Sequence, residues 1–107
     1  MNKVQNMIAC YIACKSLNEA KKISKHLVKK RLIGCANIFP KIYSYYWWKG
    51  KIAQESEAII IGKTFESKKN KIIKEVKKIH SYSVPCIAFY KTTAVNDDYL
   101  NWLRSVT

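Results

Sequence analysis

Tyr43-Ser44-Tyr45-Tyr46-Trp47-Trp48-Lys49-Gly50-Lys51 sets five large aromatics within six residues and stops them with a lysine-glycine turn. Along a strand successive side chains alternate faces, so Tyr43, Tyr45 and Trp47 line one side while Tyr46 and Trp48 line the other. A small sheet covered by helices on one face has a use for only one of these sets. Each Trp or Tyr can bury roughly 150 to 250 Å². At about 25 cal/mol per Å², leaving the second set in water forfeits several kcal/mol as an upper bound. Something should therefore cover that face. Three occupants compete for it: further copies of the chain, single-stranded nucleic acid stacked on the rings, or a ligand.

Upstream, the extended run starts at Cys35 and is interrupted by Pro40, which cannot donate to a ladder and so marks an edge, a bend or a bulge. Downstream, Ile52 to Lys63 returns, polar through Ala53 to Glu57 and apolar through Ala58 to Ile61. Fourteen residues at roughly 3.3 Å each span about 45 Å, so the tip of this hairpin must project from a small domain or pair elsewhere. Before it, Met7 to Cys14 reads as a buried strand with Cys10, Ile12 and Cys14 on one face. Ser16 and Glu19 fit a capping box, with Ser16 as N-cap and Glu19 at the third helical position. The helix they open carries Ala20, Ile23, Leu27 and Val28 at helical spacing, with lysines on the other faces, His26 exposed and Gly34 at its end. After the hairpin, Thr64 is the expected cap of a second helix bearing Ile72, Ile73, Val76 and Ile79. His80 to Pro85 then turns into a strand, Cys86 to Thr93, and Asn96-Asp97-Asp98 caps a short C-terminal helix with Tyr99, Trp102, Leu103 and Val106. Two crossovers flanking a hairpin define an α+β ferredoxin-like βαββαβ sandwich with one sheet face open. Residues 1–107 read as a single domain with residues 1–6 as a flexible polar tail.

The formal net charge of +13 invites an anionic partner. Its make-up argues the other way, because eighteen lysines stand against two arginines, and arginine is the residue suited to bidentate phosphate and base contacts. The lysines fall on helix faces that meet water. Four cysteines, Cys10, Cys14, Cys35 and Cys86, accompany enough apolar residues to build a core without disulfides, so reduced thiols and a cytoplasmic setting are expected. The apolar run from Met7 to Cys14 is far short of the roughly twenty residues a membrane span needs. Read from the residues alone, Cys35 is a core residue, and His80, at a helix C-terminus, is either a cap or a ligand. There is no glycine-rich phosphate cradle, no convergent set of acids and no third group to orient a Cys-His pair, so the chain does not read as an enzyme.

Taken in order, Leu27-Val28 to Arg31-Leu32, Cys35-Ala36-Asn37-Ile38, Tyr46-Trp47-Trp48-Lys49-Gly50-Lys51-Ile52 and His80-Ser81-Tyr82-Ser83-Val84-Pro85 resemble the CutA family of divalent-cation-tolerance proteins, from about Ile8 to Trp102. The resemblance implies a tight homotrimer whose hairpins reach across neighbours, with Tyr43, Tyr45, Tyr46, Trp47 and Trp48 at the subunit interface. It also implies a role in tolerance of divalent metals, copper in particular, and a metal site using Cys14 and His80. An acidic residue usual after the proline is here Cys86, and the family's proline after the histidine and a nearby acid are here Ser81 and Ser83. A ligand set of Cys14, His80 and Cys86 is softer than one with a carboxylate and favours Cu(I) or zinc. The alternatives are a trimeric scaffold that binds a small molecule or protein in its inter-subunit clefts, or a basic nucleic-acid-binding module.

Overall fold

In a computed structural model the described residues are 6–107, so the tail expected over residues 1–6 lies almost wholly outside them. Four strands and three helices follow in the order β1 (Met7–Cys14), α1 (Leu17–Lys29), β2 (Cys35–Trp48), β3 (Lys51–Phe65), α2 (Lys69–Ile79), β4 (Ile87–Lys91) and α3 (Asp97–Val106), with a 3₁₀ turn at Glu66–Lys68 leading into α2. All pairings are antiparallel and the sheet order is β2-β3-β1-β4, the topology expected for the ferredoxin-like sandwich.

The alternation in β1 sorts its side chains. Ile8, Cys10, Ile12 and Cys14 are buried, and the last three meet Ala20, Ile23 and Leu27 of α1, Ile72 and Val76 of α2, and Ala58 and Ile60 of β3. Register then carries the same face across the sheet, since Ile12 lies opposite both Ile60 and Ile87, and Cys10 opposite Gly62 and Phe89.

Pro40 does what its missing N–H requires. The β2–β3 register runs from Phe39 opposite Ile59 to Ile42 opposite Glu57, so two residues of β2, Pro40 and Lys41, face Ala58 alone. This bulge exchanges the two faces of β2 relative to β3. Tyr46 and Trp48 fall opposite Ala53 and Lys51, on the face shared by Glu55 and Glu57, while Tyr43, Tyr45 and Trp47 fall opposite Ser56, Gln54 and Ile52. Lys49 and Gly50 close the hairpin with positive φ of 50° and 76°, the paired left-handed residues of a type I′ turn. The hairpin does project, and the molecule measures 52 Å along its long axis against 26 and 22 Å across it.

Four local expectations are corrected. Gly34 does not end α1. The chain leaves the helix through Arg31, which takes the left-handed turn at φ 60°. Gly34 is needed for space instead, because a Cβ there would meet Leu103 Cδ1 at 2.4 Å and Val106 Cγ2 at 2.9 Å on α3. Leu103 is fully buried and has nowhere to go, so Gly34→Ala is expected to cost about 1–3 kcal/mol in urea unfolding. Thr64 is not a cap. It is a buried β3 residue whose hydroxyl donates to the Leu32 carbonyl at 2.6 Å. Asn96 makes no side-chain cap bond to α3, and its amide donates instead to Asp98 Oδ1 at 2.6 Å. His26 is only partly exposed, and its Nε2 lies 3.0 Å from Glu75 Oε1 on α2. Lys30 and Lys78 also reach Glu75, at 3.3 and 3.5 Å. The His26 hydrogen bond, opposed by burial and assisted by the two lysines, holds the Glu75 carboxyl at about 2.

Candidate metal centre

Strand β1 ends at Cys14 and α1 begins at Leu17, so the Lys15-Ser16 joint must satisfy the first N–H groups of the helix. Ser16 Oγ accepts from Glu19 N at 3.1 Å, as the capping box predicts. The reciprocal half differs. Glu19 Oε1 accepts from Lys15 N at 2.9 Å, one residue before the cap, and Oε2 accepts from Ser81 N at 2.9 Å in the loop after α2. Glu19 is therefore buried, with 8% exposure, and holds the start of α1 against the loop leading to β4. Burial pushes its carboxyl up, but the Lys15 and Ser81 hydrogen bonds, with the His80 ring beside it, outweigh this, and its pKa is lowered overall.

His80 sits in that loop. Tyr82 N can only donate, and it reaches His80 Nδ1 at 3.0 Å; Nε2 then carries the ring proton and donates to the Ala13 carbonyl at 2.7 Å. Cys14 completes the cluster from the end of β1. Its thiol is fully buried, contacts the Ile12 carbonyl at 4.0 Å, and is pushed up to about 12 by burial, with the Glu19 and Glu57 charges adding. One donor atom each from Cys14, Glu19 and His80 lies within 4.8 Å of the others.

Cys14 and His80 are thus brought together, and Cys86 does not join them. Ile87 pairs with Ile12 and Ala13 N donates to the Cys86 carbonyl at 3.4 Å, so Cys86 lies across from Ala13. Cys86 is exposed and lines, with Ala13, a groove on the side of the sheet away from the helices. Glu19 is the donor that the sequence reading took for a cap alone. The signal for more was its place in the first turn of a helix that starts directly after the strand-end cysteine.

All five hairpin aromatics are exposed in the single chain. Tyr43, Tyr45 and Trp47 are 68, 67 and 73% accessible, and Ile52 beside them 64%, whereas Tyr46 and Trp48 are 38 and 49% accessible. Among the described residues no helix is long and apolar enough to cross a membrane.

A ferredoxin-like chain with an overlong aromatic hairpin and a thiol, carboxylate and imidazole gathered where β1 meets α1 defines a class of small α+β proteins with a candidate cation site. The chain belongs to the CutA1 divalent ion tolerance protein family, whose model matches residues 8–106. It is 42% identical over 98 residues to the divalent-cation tolerance protein CutA of Thermotoga maritima, covering 92% of this chain and 96% of that one. Its fold is similar to that of the periplasmic divalent cation tolerance protein CutA of Archaeoglobus fulgidus, with TM-score 0.91, 38% identity and coverage of 94 and 97%. It is also similar to CutA1 of Oryza sativa, with TM-score 0.93, 32% identity and coverage of 96 and 94%.

Proposed function

We propose that the protein serves divalent-cation tolerance as a homotrimer that binds copper, with zinc as the competing ion, through Cys14, Glu19 and His80. The observation that carries this reading is the approach of the three donors to within 4.8 Å of one another. Thiolate, imidazole and carboxylate together suit a borderline ion, which fits zinc and copper better than magnesium or calcium. With Glu19 in the place expected for Cys86, the set is harder than two thiols and an imidazole.

The cluster is closed by its own hydrogen bonds. A metal must displace the Cys14 proton and take His80 from either Tyr82 N or the Ala13 carbonyl. Uptake is therefore coupled to the conformation of the loop from His80 to Cys86. The trimer accounts for the Tyr43, Tyr45, Trp47 and Ile52 face, which a single chain leaves in water. Four free thiols suit a cytoplasmic setting, whereas the Archaeoglobus relative is named a periplasmic protein.

Calorimetric titration with Cu(II) and Zn(II) tests the site. Cys14→Ser and His80→Gln are each expected to weaken copper binding at least about 100-fold, or about 2.7 kcal/mol. Unchanged copper affinity in both variants means that the ion binds elsewhere.

A further inference from the structure

The lysines that meet water are concentrated on one side of the protein. Of the chain's twenty lysines and arginines, six fall in residues 20–31 and five in residues 69–79, against a single acid, Glu75. These stretches are α1 with its closing turn, and α2, which pack on the same core cluster. Lys21, Lys22, Lys25, Lys29 and Lys30 are exposed on the first, and Lys71, Lys74, Lys77 and Lys78 on the second. Among the described residues, salt bridges from these nine lysines end only on Glu75, from Lys30 at 3.3 Å and Lys78 at 3.5 Å. Seven of the nine therefore have no acidic partner.

Solubility does not require this arrangement. A solvated helix gains from a Glu and a Lys four residues apart and loses from like charges at that spacing. Lys21, Lys25 and Lys29 nevertheless follow one another at four-residue steps, as do Lys74 and Lys78. Where the helices meet, Lys30, Lys71, Lys74 and Lys78 surround, with Leu32 and Glu75, a hollow of about 350 Å³. A face of one sign with a concave seam concentrates counter-ions, and its self-repulsion is relieved when an anion settles on it.

The residue types select the anion. α1 and α2 carry no Phe, Tyr or Trp, and their only arginine is Arg31, in the turn that closes α1. They lack the rings on which bases stack and the planar forks that read base edges, so nucleic acid gains nothing here beyond its phosphates. Val28 is the one exposed large apolar side chain on the two helices, which gives a lipid bilayer little to bury. Lysine ammoniums are point charges on flexible stems, suited to a chain of closely spaced anions that needs no fixed register. We propose that the outer face of α1 and α2 binds inorganic polyphosphate, laid along the seam between the helices. The face lies on the side of the sheet away from the hairpin groove, so it is open in the proposed trimer as in the single chain, and it uses no residue of the Cys14 cluster.

The test is titration of the assembled wild-type protein with polyphosphate of defined chain length, read by calorimetry and thermal unfolding, with a chelator present to remove bridging metal. Polyphosphate is expected to bind saturably, to raise the unfolding temperature, and to exceed oligo(dT) at equal charge by about tenfold or more in affinity. Its affinity should fall about 100-fold between about 50 and 200 mM salt, as four or so neutralised phosphates require. Lys25→Gln, Lys71→Gln and Lys74→Gln together are expected to weaken binding by about tenfold or more. Lys15→Gln, Lys41→Gln and Lys51→Gln together remove the same charge elsewhere and should change it by less than about twofold. All six lysines are exposed, so neither set threatens the fold. Four results would overturn the proposal: no saturable binding at low salt, equal losses in the two triple variants, equal affinity for oligo(dT), or preferential binding to phosphatidylglycerol vesicles. The second result would assign the binding to the bulk field, and the fourth would make the face a membrane contact.

Discussion

Replacing Tyr43, Tyr45 and Trp47 together with serine is expected to take the protein in sedimentation equilibrium from the proposed trimer, three times the 12.4 kDa chain mass, to the mass of one chain at micromolar concentration. The three rings share one face of the hairpin, each about two-thirds or more accessible, and Ile52 extends the patch. An apolar strip of this kind on a projecting arm has no use within its own chain. Its burial is worth several kcal/mol as an upper bound at about 25 cal/mol per Å², and part of that is lost to the ordering cost of association. We expect a rise of at least about 100-fold in the dissociation constant, or about 2.7 kcal/mol. The matching control is Tyr46→Ser, which lies on the groove face and should leave the mass unchanged. If the triple variant keeps the assembled mass, the subunits meet through another surface, and the open sheet face around Tyr11 and Tyr90 becomes the next to test.

Face parity and turn chemistry made the fold legible. Met7–Cys14 and Cys35–Trp48 were readable to the residue, because β-branched, aromatic and cysteine-rich alternation is strong there and Lys49-Gly50 leaves one way to turn. Pro40 announced the bulge, but not which face each aromatic set would join. That depends on the count of residues on both strands, which only the observed pairing supplies. The cap expected at Thr64 failed because β3 continues to Phe65, its hydroxyl having found the Leu32 carbonyl, so long-range packing overrode a local preference. The candidate site was half readable. Cys14 and His80 lie together as expected, while Glu19, read as a cap, lies beside them and Cys86 lies apart. Both differences come from direction rather than identity: Glu19 turns back over the joint, and Cys86 sits across from Ala13 on the other side of the sheet from Cys14.

The buried carboxylate also separates a structural knot from a metal ligand. In metal-free protein at pH 7, Glu19→Gln is expected to lower stability by about 2 kcal/mol, because the amide can accept one backbone N–H and must turn its own donors toward the other. Wild type and variant are compared at one protein concentration in urea, so that assembly affects both alike. The pH dependence carries a definite sign. A carboxyl whose folded pKa lies below its ordinary value of 4.5 contributes stability that is complete above 4.5 and is lost as pH falls through the folded value. The wild type should therefore lose stability with acid in a way the variant does not, and the gap between them should close below pH 4.5. A gap that is present at pH 7 and persists unchanged in acid would assign the cost to packing. No gap at all would mean that Lys15 N and Ser81 N find other acceptors and that Glu19 does not hold the loop. The predicted gap would show that Glu19 holds the β4 loop against α1 in the empty protein, and copper titration of the same variant then tests separately whether it also serves as a donor.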